Sequence, residues 1–317
     1  MGKSSRTKAR NAAATPLAEG EVGPRQPCPC GSGRRYKACH GDPSGQVQAY
    51  VGRPFEGLDS ECDLVALREL VPSATAPLTL TADGAPAVTL CSLLPGAAPA
   101  LVRDNGEVWL GLQVQHNFGD PSRDLGAVLE KALAASAAQQ TGVVGLTENP
   151  GSGPRLQDLV TADALDISVH DGFGFWIADA ERTPEMEAAL EQANGAALPT
   201  SRLASVEAAY WTSVGTKEHL RWVMPEPEDA LLDALSRLHA ARDDSIAEGS
   251  RLVGMFRAHG VLTPVWDLPL GTGAEVLEEA AADFRQRLQE ALDDDSDLST
   301  AQRSARAGLA NRQVTIR

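Results

Sequence analysis

Cys28, Cys30, Cys39 and His40 are the residues of this chain whose types and spacing specify a chemistry. Three thiolates and one imidazole, spaced as Cys-x-Cys, eight residues, then Cys-His, form a complete tetrahedral set for one structural zinc ion, Zn2+. Cys28 and Cys30 stand on an extended stretch, where alternate side chains share a face, and Pro29 favours that conformation. Gly31 and Gly33 let the chain turn tightly around a metal. Residues 34–38 fit one helical turn that delivers Cys39 and His40 at its end, where Gly41 terminates it. A knuckle of residues 27–42 cannot bury a useful core, but structural zinc contributes about 10–16 kcal/mol in small finger peptides. The alternative is four unrelated residues in a loop with a reactive thiol. Three of the five cysteines fall within the thirteen residues 28–40, which favours the metal. Protein atoms fill all four positions, so the expected ion is structural and leaves no open site for a substrate.

The segments around this knuckle differ sharply in charge. Residues 1–41 carry eight basic and two acidic side chains, net +6, and residues 301–317 carry four Arg and no acid, net +4. The whole chain is −15, so residues 42–300 carry −25. A body this acidic repels nucleic acid, while both ends attract nucleic acid, acidic protein surfaces or the body itself. Arg supplies 23 of the 28 basic residues, the composition of a GC-rich coding sequence. The longest apolar run, 87–94, is far short of a membrane span. The basic amino terminus has no apolar stretch after it and does not read as a secretory signal. Cys62 and Cys91 lie in apolar segments and read as buried thiols, which fits a reducing cytoplasm.

The fold expected is α+β, with antiparallel sheets built from about four strand–turn–strand–helix units behind the small zinc knuckle. Residues 1–26 read as a disordered basic arm, 43–57 as a Gly/Pro linker, 58–295 as the body, and 296–317 as an Arg-rich flexible tail. The paired strands fall at 100–103 and 107–114, 165–169 and 173–177, 207–213 and 219–224, and 251–257 and 261–268, around Gly106, Gly172, Gly215 and Gly260. Helix starts follow at Asp120-Pro121, Thr183-Pro184, Glu226-Pro227 and a Thr272–Glu275 capping box. Residues 251–257 also fit a helical face, because a short apolar run does not separate the two periods. Further strands near 78–81 and 87–93 extend the first sheet. The loop 148–155 is the expected place for a split into two subdomains.

The run Pro-Cys-Pro-Cys-Gly-Ser-Gly-Arg-Arg-Tyr-Lys-Ala-Cys-His-Gly, about fifteen of the 317 residues, resembles the SEC-C motif. That motif is the zinc-binding tail of the SecA preprotein translocase, where it contacts the chaperone SecB, and it is also attached to many otherwise unrelated bacterial proteins. The resemblance implies Cys28, Cys30, Cys39 and His40 as ligands and a contact surface for a protein partner. The rest of the chain departs from SecA and contains no phosphate-binding loop, so translocase activity and a nucleotide site do not carry over. The overall layout is similar to an uncharacterised family of high-GC bacterial SEC-C proteins, a resemblance that implies no activity.

Outside the knuckle the candidates are weaker. His116-Asn117 and Asp120 sit where a strand meets a helix start, a common place for binding residues and also for a solvated loop. His170 and His259 occupy hairpin turns that backbone geometry explains. Gly271-Thr272-Gly273 can present backbone N–H groups to an anion, and a capping box explains it equally well. Phe173, Phe175, Trp176, Tyr210, Trp211, Trp222 and Trp266 read as strand-borne core. No catalytic residue emerges. The reading is therefore a non-enzymatic interaction or adaptor protein, in which Arg34, Arg35, Tyr36 and Lys37 meet an acidic protein partner. The alternatives are ribosome or RNA association through the basic arm, and an enzyme whose pocket joins His116, Asp120 and an aromatic wall.

Overall fold

The computed structural model describes residues 22, 25–27, 35–36, 50–177 and 183–315. The chain forms two compact units, Met1–Tyr50 and Val51–Arg317. In the first unit Pro27 and Arg35 form an antiparallel bridge, and the Tyr36 N–H donates to the Gln26 carbonyl at 2.8 Å.

The second unit is α+β with two six-stranded sheets. The first half contains α1 (Glu61–Glu69), β1 (Ala74–Leu78), β2 (Val88–Cys91), β3 (Ala100–Val102), β4 (Val108–Gly111), α2 (Pro121–Ala137), β5 (Gly142–Val144), α3 (Leu156–Leu159) and β6 (Ser168–Val169). Its sheet runs β5-β3-β4-β2-β1-β6 and is antiparallel except where β2 lies parallel to β4. The second half contains α4 (Pro184–Ala196), β7 (Thr200–Arg202), β8 (Ala209–Val214), β9 (Lys217–Trp222), α5 (Glu228–Ala241), β10 (Arg251–Ala258), β11 (Val261–Leu268), α6 (Leu277–Leu292), α7 (Thr300–Ala310) and β12 (Gln313–Thr315). Its sheet runs β12-β10-β11-β9-β8-β7, with β12 parallel to β10.

Alternation along the strands divides the core into layers. Leu220, Trp222, Leu262 and Trp266 point from the second sheet onto α5 and α6, where Trp222, Trp266 and Phe284 meet with ring centroids 5.2–6.5 Å apart. The opposite face sends Tyr210, Val223, Ala258 and Val261 into the cluster that holds α1, α2 and the first sheet. The far face of the first sheet carries Trp109 and Cys91 against Phe175 and Trp176.

Three of the four expected hairpin pairings form, and residues 251–257 are strand. The second does not. Residues 173–177 wind into a 3-10 turn, Gly174–Ile177, which stacks Phe173 on Trp176 at 4.3 Å, while Ser168–Val169 pairs with β1. A three-residue repeat brings those rings together, and Trp176 anchors the turn by donating from Nε1 to the Leu93 carbonyl at 3.0 Å. The Thr272 capping box is also absent. Its hydroxyl donates to the Pro269 carbonyl, and α6 begins later, at Leu277.

The expected linker and tail are partly body. Phe55 is fully buried, the Val51 N–H donates to the Gly119 carbonyl, and Gln157 donates to the carbonyls of Pro54 and Glu56. In the tail Ser299 and Gln302 cap α7 reciprocally, Leu309 is buried, and Arg306 pairs with Asp229 and Asp233 of α5. Just before this tail Arg237 lies 3.1 Å from Asp294. The loop 148–155 clamps onto α2, with Arg123 donating to the Gly153 carbonyl and Arg155 bound to Asp120 at 2.9 Å.

Two helical glycines respond oppositely to a methyl group. Helix propensity alone makes Gly→Ala stabilising by about 1 kcal/mol. At Gly126 the new Cβ collides with the Pro154 carbonyl oxygen, whereas at Gly308 its nearest neighbour is the Arg312 guanidinium at 3.8 Å. Gly126→Ala is expected to lower the unfolding free energy by about 1–3 kcal/mol, the range for an overpacked site. Gly308→Ala is expected to raise it by about 0.5–1 kcal/mol. Urea denaturation of the two variants checks both signs.

Candidate functional site

Two of the buried acidic side chains, Glu61 and Asp63, stand on α1. Nine residues form this helix, and the seven from Glu61 to Leu67 are buried, Glu61 and Asp63 among them. Buried carboxylates need charge and hydrogen-bond partners, and α1 draws them from distant segments. Arg53 grips Glu61 with two parallel bonds of 2.7 Å. Asp63 accepts from the Tyr210 hydroxyl at 2.7 Å and pairs with Arg202 at 3.1 Å, so it ties α1 to β7 and β8. Glu69 pairs with His259 Nε2 at 2.7 Å in the β10–β11 turn. At the helix end Gln113 donates to the carbonyls of Leu67 and Val71, and Arg68 donates to the Leu112 carbonyl.

Beside this seam lies a cleft of about 420 Å3, bordered by Glu61, Cys62, Glu207, Trp222, Met224 and Arg285. Glu61 is committed to Arg53, and Glu226 behind the cleft pairs with Arg285 at 2.6 Å. Burial pushes the Cys62 thiol above its ordinary range and the neighbouring carboxylates push it further, which makes it a poor nucleophile. Burial likewise pushes Cys91 up to about 12 and Tyr210 well above the usual phenol value. Both cysteines are free.

The residues singled out from the sequence are not brought into one pocket. His116 and Asn117 border a small cavity of about 20 Å3 with Arg68 and Asp124. Asp120 instead caps α2 by accepting from the Arg123 N–H and pairs with Arg155. His170 bonds Thr75 at 2.8 Å and His239 bonds Asp244 at 2.6 Å, while His219 Nδ1 lies 2.9 Å from Asp267 without a hydrogen bond. The glycine nest at 271–273 does bind an anion, and the anion is the chain's own. Gly271 and Gly273, both at positive φ, donate to the Glu218 carboxylate at 2.6 and 2.9 Å, and Trp211 Nε1 donates to it at 2.8 Å. Burial opposes ionisation of Glu218, but these donors hold its carboxyl below the ordinary range. The network around α1 gave no local sequence signal, because its pairs lie 8 to 190 residues apart.

The expected zinc ion is corrected here. Among the described residues no group of three or more His, Cys, Asp or Glu side chains converges as a metal site. Cys28, Cys30, Cys39 and His40 lie outside the described residues, as do Arg34 and Lys37. Arg35 is exposed and Tyr36 is 2% exposed.

Two side-chain changes test the seam. Asp63→Ala leaves Arg202 and Tyr210 without their acid and is expected to cost about 3–5 kcal/mol, as for one broken partner of a buried pair. Asp124 behaves in the opposite way. Burial outweighs the Phe118 N–H and the nearby Arg68 charge and raises its pKa to about 6, and its Oδ1 has no hydrogen-bond partner. The native state therefore binds more protons than the unfolded chain between about pH 4 and 6, so stability falls as pH rises through that window. Asp124→Asn is expected to be more stable than wild type by about 2–3 kcal/mol at pH 8 and similar at pH 4. Denaturant titrations at the two pH values read the crossover.

Comparison with known proteins separates the same two units. A family of unknown function, DUF5926, matches residues 54–317, and the SEC-C motif matches residues 25–42. No curated protein and no solved structure matches the chain.

Proposed function

The chain belongs to the DUF5926 family of unknown function, and we propose that it acts as a non-enzymatic adaptor. In this reading the SEC-C unit contacts an acidic protein partner and the acidic body offers a second surface. The observation that carries the proposal is the commitment of the α1 carboxylates to holding other segments in place, beside an attached SEC-C motif. A helix whose carboxylates each hold a distant segment serves a scaffold, and the raised thiols offer no activated nucleophile. Arg34, Arg35 and Lys37 supply the positive charge of the contact, with the Tyr36 ring buried behind Arg35 in sequence.

The net +6 of residues 1–41 favours a second reading, association with RNA or the ribosome through the same residues. Two free, buried cysteines support a reducing compartment such as the cytoplasm. Among the described residues no helix is long and apolar enough to cross a membrane.

The full chain and its Arg34→Glu/Arg35→Glu/Lys37→Glu variant, used as bait under matched salt, distinguish these readings. Loss of specific protein partners by the variant, with an unchanged melting temperature, is the expected result. An unchanged partner set overturns the contact surface. Ribosome co-sedimentation that falls steeply with salt, without a protein partner, selects the RNA reading.

A further inference from the structure

The α1 layer covers one end of the inward face of the second sheet, where Tyr210, Val223, Ala258 and Val261 are packed. At the other end that face borders a groove of about 240 Å3. Strand register sets its floor. Gly254, Val265 and Arg221 form one cross-strand row over β10, β11 and β9, and Val314, Phe256 and Thr263 form the next over β12, β10 and β11. Gly254 leaves the first row low at one end, and the Arg312 backbone closes against it, since a Cβ there would stand 2.7 Å from the Arg312 carbonyl oxygen.

Polar atoms of Arg221 and Thr263 on this face lack hydrogen-bond partners. Arg221 is half-buried, no acid among the described residues pairs with it, and its buried Nε has no hydrogen-bond partner. Burial alone holds its pKa below the usual arginine value, with no acid acting to raise it. Thr263, 1% exposed on the same face, has an unpartnered Oγ1. The carboxylate of the adjacent row, Asp267, already accepts from Lys217 at 3.3 Å. A guanidinium stays charged when buried, and burying it without a counter-charge is costly. The surrounding body carries −25 over residues 42–300, yet none of that charge is spent on Arg221.

We propose that this groove binds a small organic anion, its carboxylate paired with Arg221 and its apolar body lying against Val253, Phe256, Val265 and Val314. The missing counter-charge and the apolar walls together specify such a ligand: an inorganic anion satisfies the guanidinium and wastes the walls, and a neutral hydrocarbon does the reverse. The volume lies below the roughly 300–1,000 Å3 of sites for drug-sized molecules, which selects a short-chain or single-ring carboxylate. The site does not depend on the SEC-C unit or on the adaptor reading.

Calorimetric titration of the full chain with hexanoate tests the proposal, with acetate, inorganic phosphate and hexanol as the three partial ligands. Hexanoate is expected to bind one to one and at least tenfold more tightly than each of the others. Arg221→Met is expected to weaken hexanoate at least tenfold while melting no lower than wild type, because it removes a half-buried charge that no acid compensates. Val314→Glu, at a position 58% exposed, places a competing carboxylate at the rim without disturbing the core and is expected to weaken hexanoate similarly. The proposal is overturned if hexanoate binds no better than acetate, or if both variants bind it like wild type.

Discussion

The body depends on the charged side of a nine-residue helix. A helix as short as α1 is unstable alone, and its first turn has no side-chain cap. It persists because it is packed between the two sheets and because its carboxylates are fixed by groups from Arg53, β7, β8 and the β10–β11 turn. Rotating α1 by one residue, about 100°, would carry Glu61 and Asp63 away from these partners and into apolar surroundings. The ion pairs therefore select one orientation of the helix, and with it one placement of the second sheet over the first. Apolar contacts alone tolerate many such placements.

The same rule, that a buried acid must find donors, explains the second half. Glu218 points away from bulk solvent and is held by glycine amides and an indole. Glu278 accepts from the Ala204 and Ser205 N–H groups and so pins the strand β7 side of the sheet to α6. Positive φ at Gly271 and Gly273 is what lets successive amides face one carboxylate, a conformation few other residues adopt. A sequence feature that resembles an anion site is thus an internal strut.

Local chemistry made much of the fold legible. Asp-Asn-Gly at 104–106 and the alternation in 207–224 announce hairpins, and Asp120-Pro121 and Thr183-Pro184 announce helices, because each signal is complete within a few residues. What failed was decided at long range. The aromatic run 173–177 has strand-like composition, but Trp176 finds the Leu93 carbonyl and Phe173 finds the Asn194 side chain, which a 3-10 turn serves better. The tail looked like a flexible basic segment, yet Arg306 meets two acids on α5 about seventy residues earlier. Phe55 lay hidden in a Gly/Pro-rich stretch, and the partners of α1 carried no local pattern at all. His116 and Asp120, close in sequence, serve different tasks because one borders a cavity and the other caps a helix.

Arginine composition acquires a physical meaning in this setting. The planar fork binds both oxygens of a carboxylate at once, as Arg53 does on Glu61 and Arg202 on Asp63, which lysine's single ammonium does not reproduce. An acid-rich chain that holds its layers together by such forks sets a strong expectation that a guanidinium drawn into the interior meets an acid or a carbonyl. Arg68 obeys it through Leu112 and Glu69. Arg221 does not, although Asp267 stands in the neighbouring row and is paired with Lys217 and Arg251. The body could have neutralised Arg221 at the cost of one more acidic side chain among dozens. Its bare charge at the head of an apolar groove therefore belongs with recognition of something outside the chain, rather than with the framework that α1 holds in place.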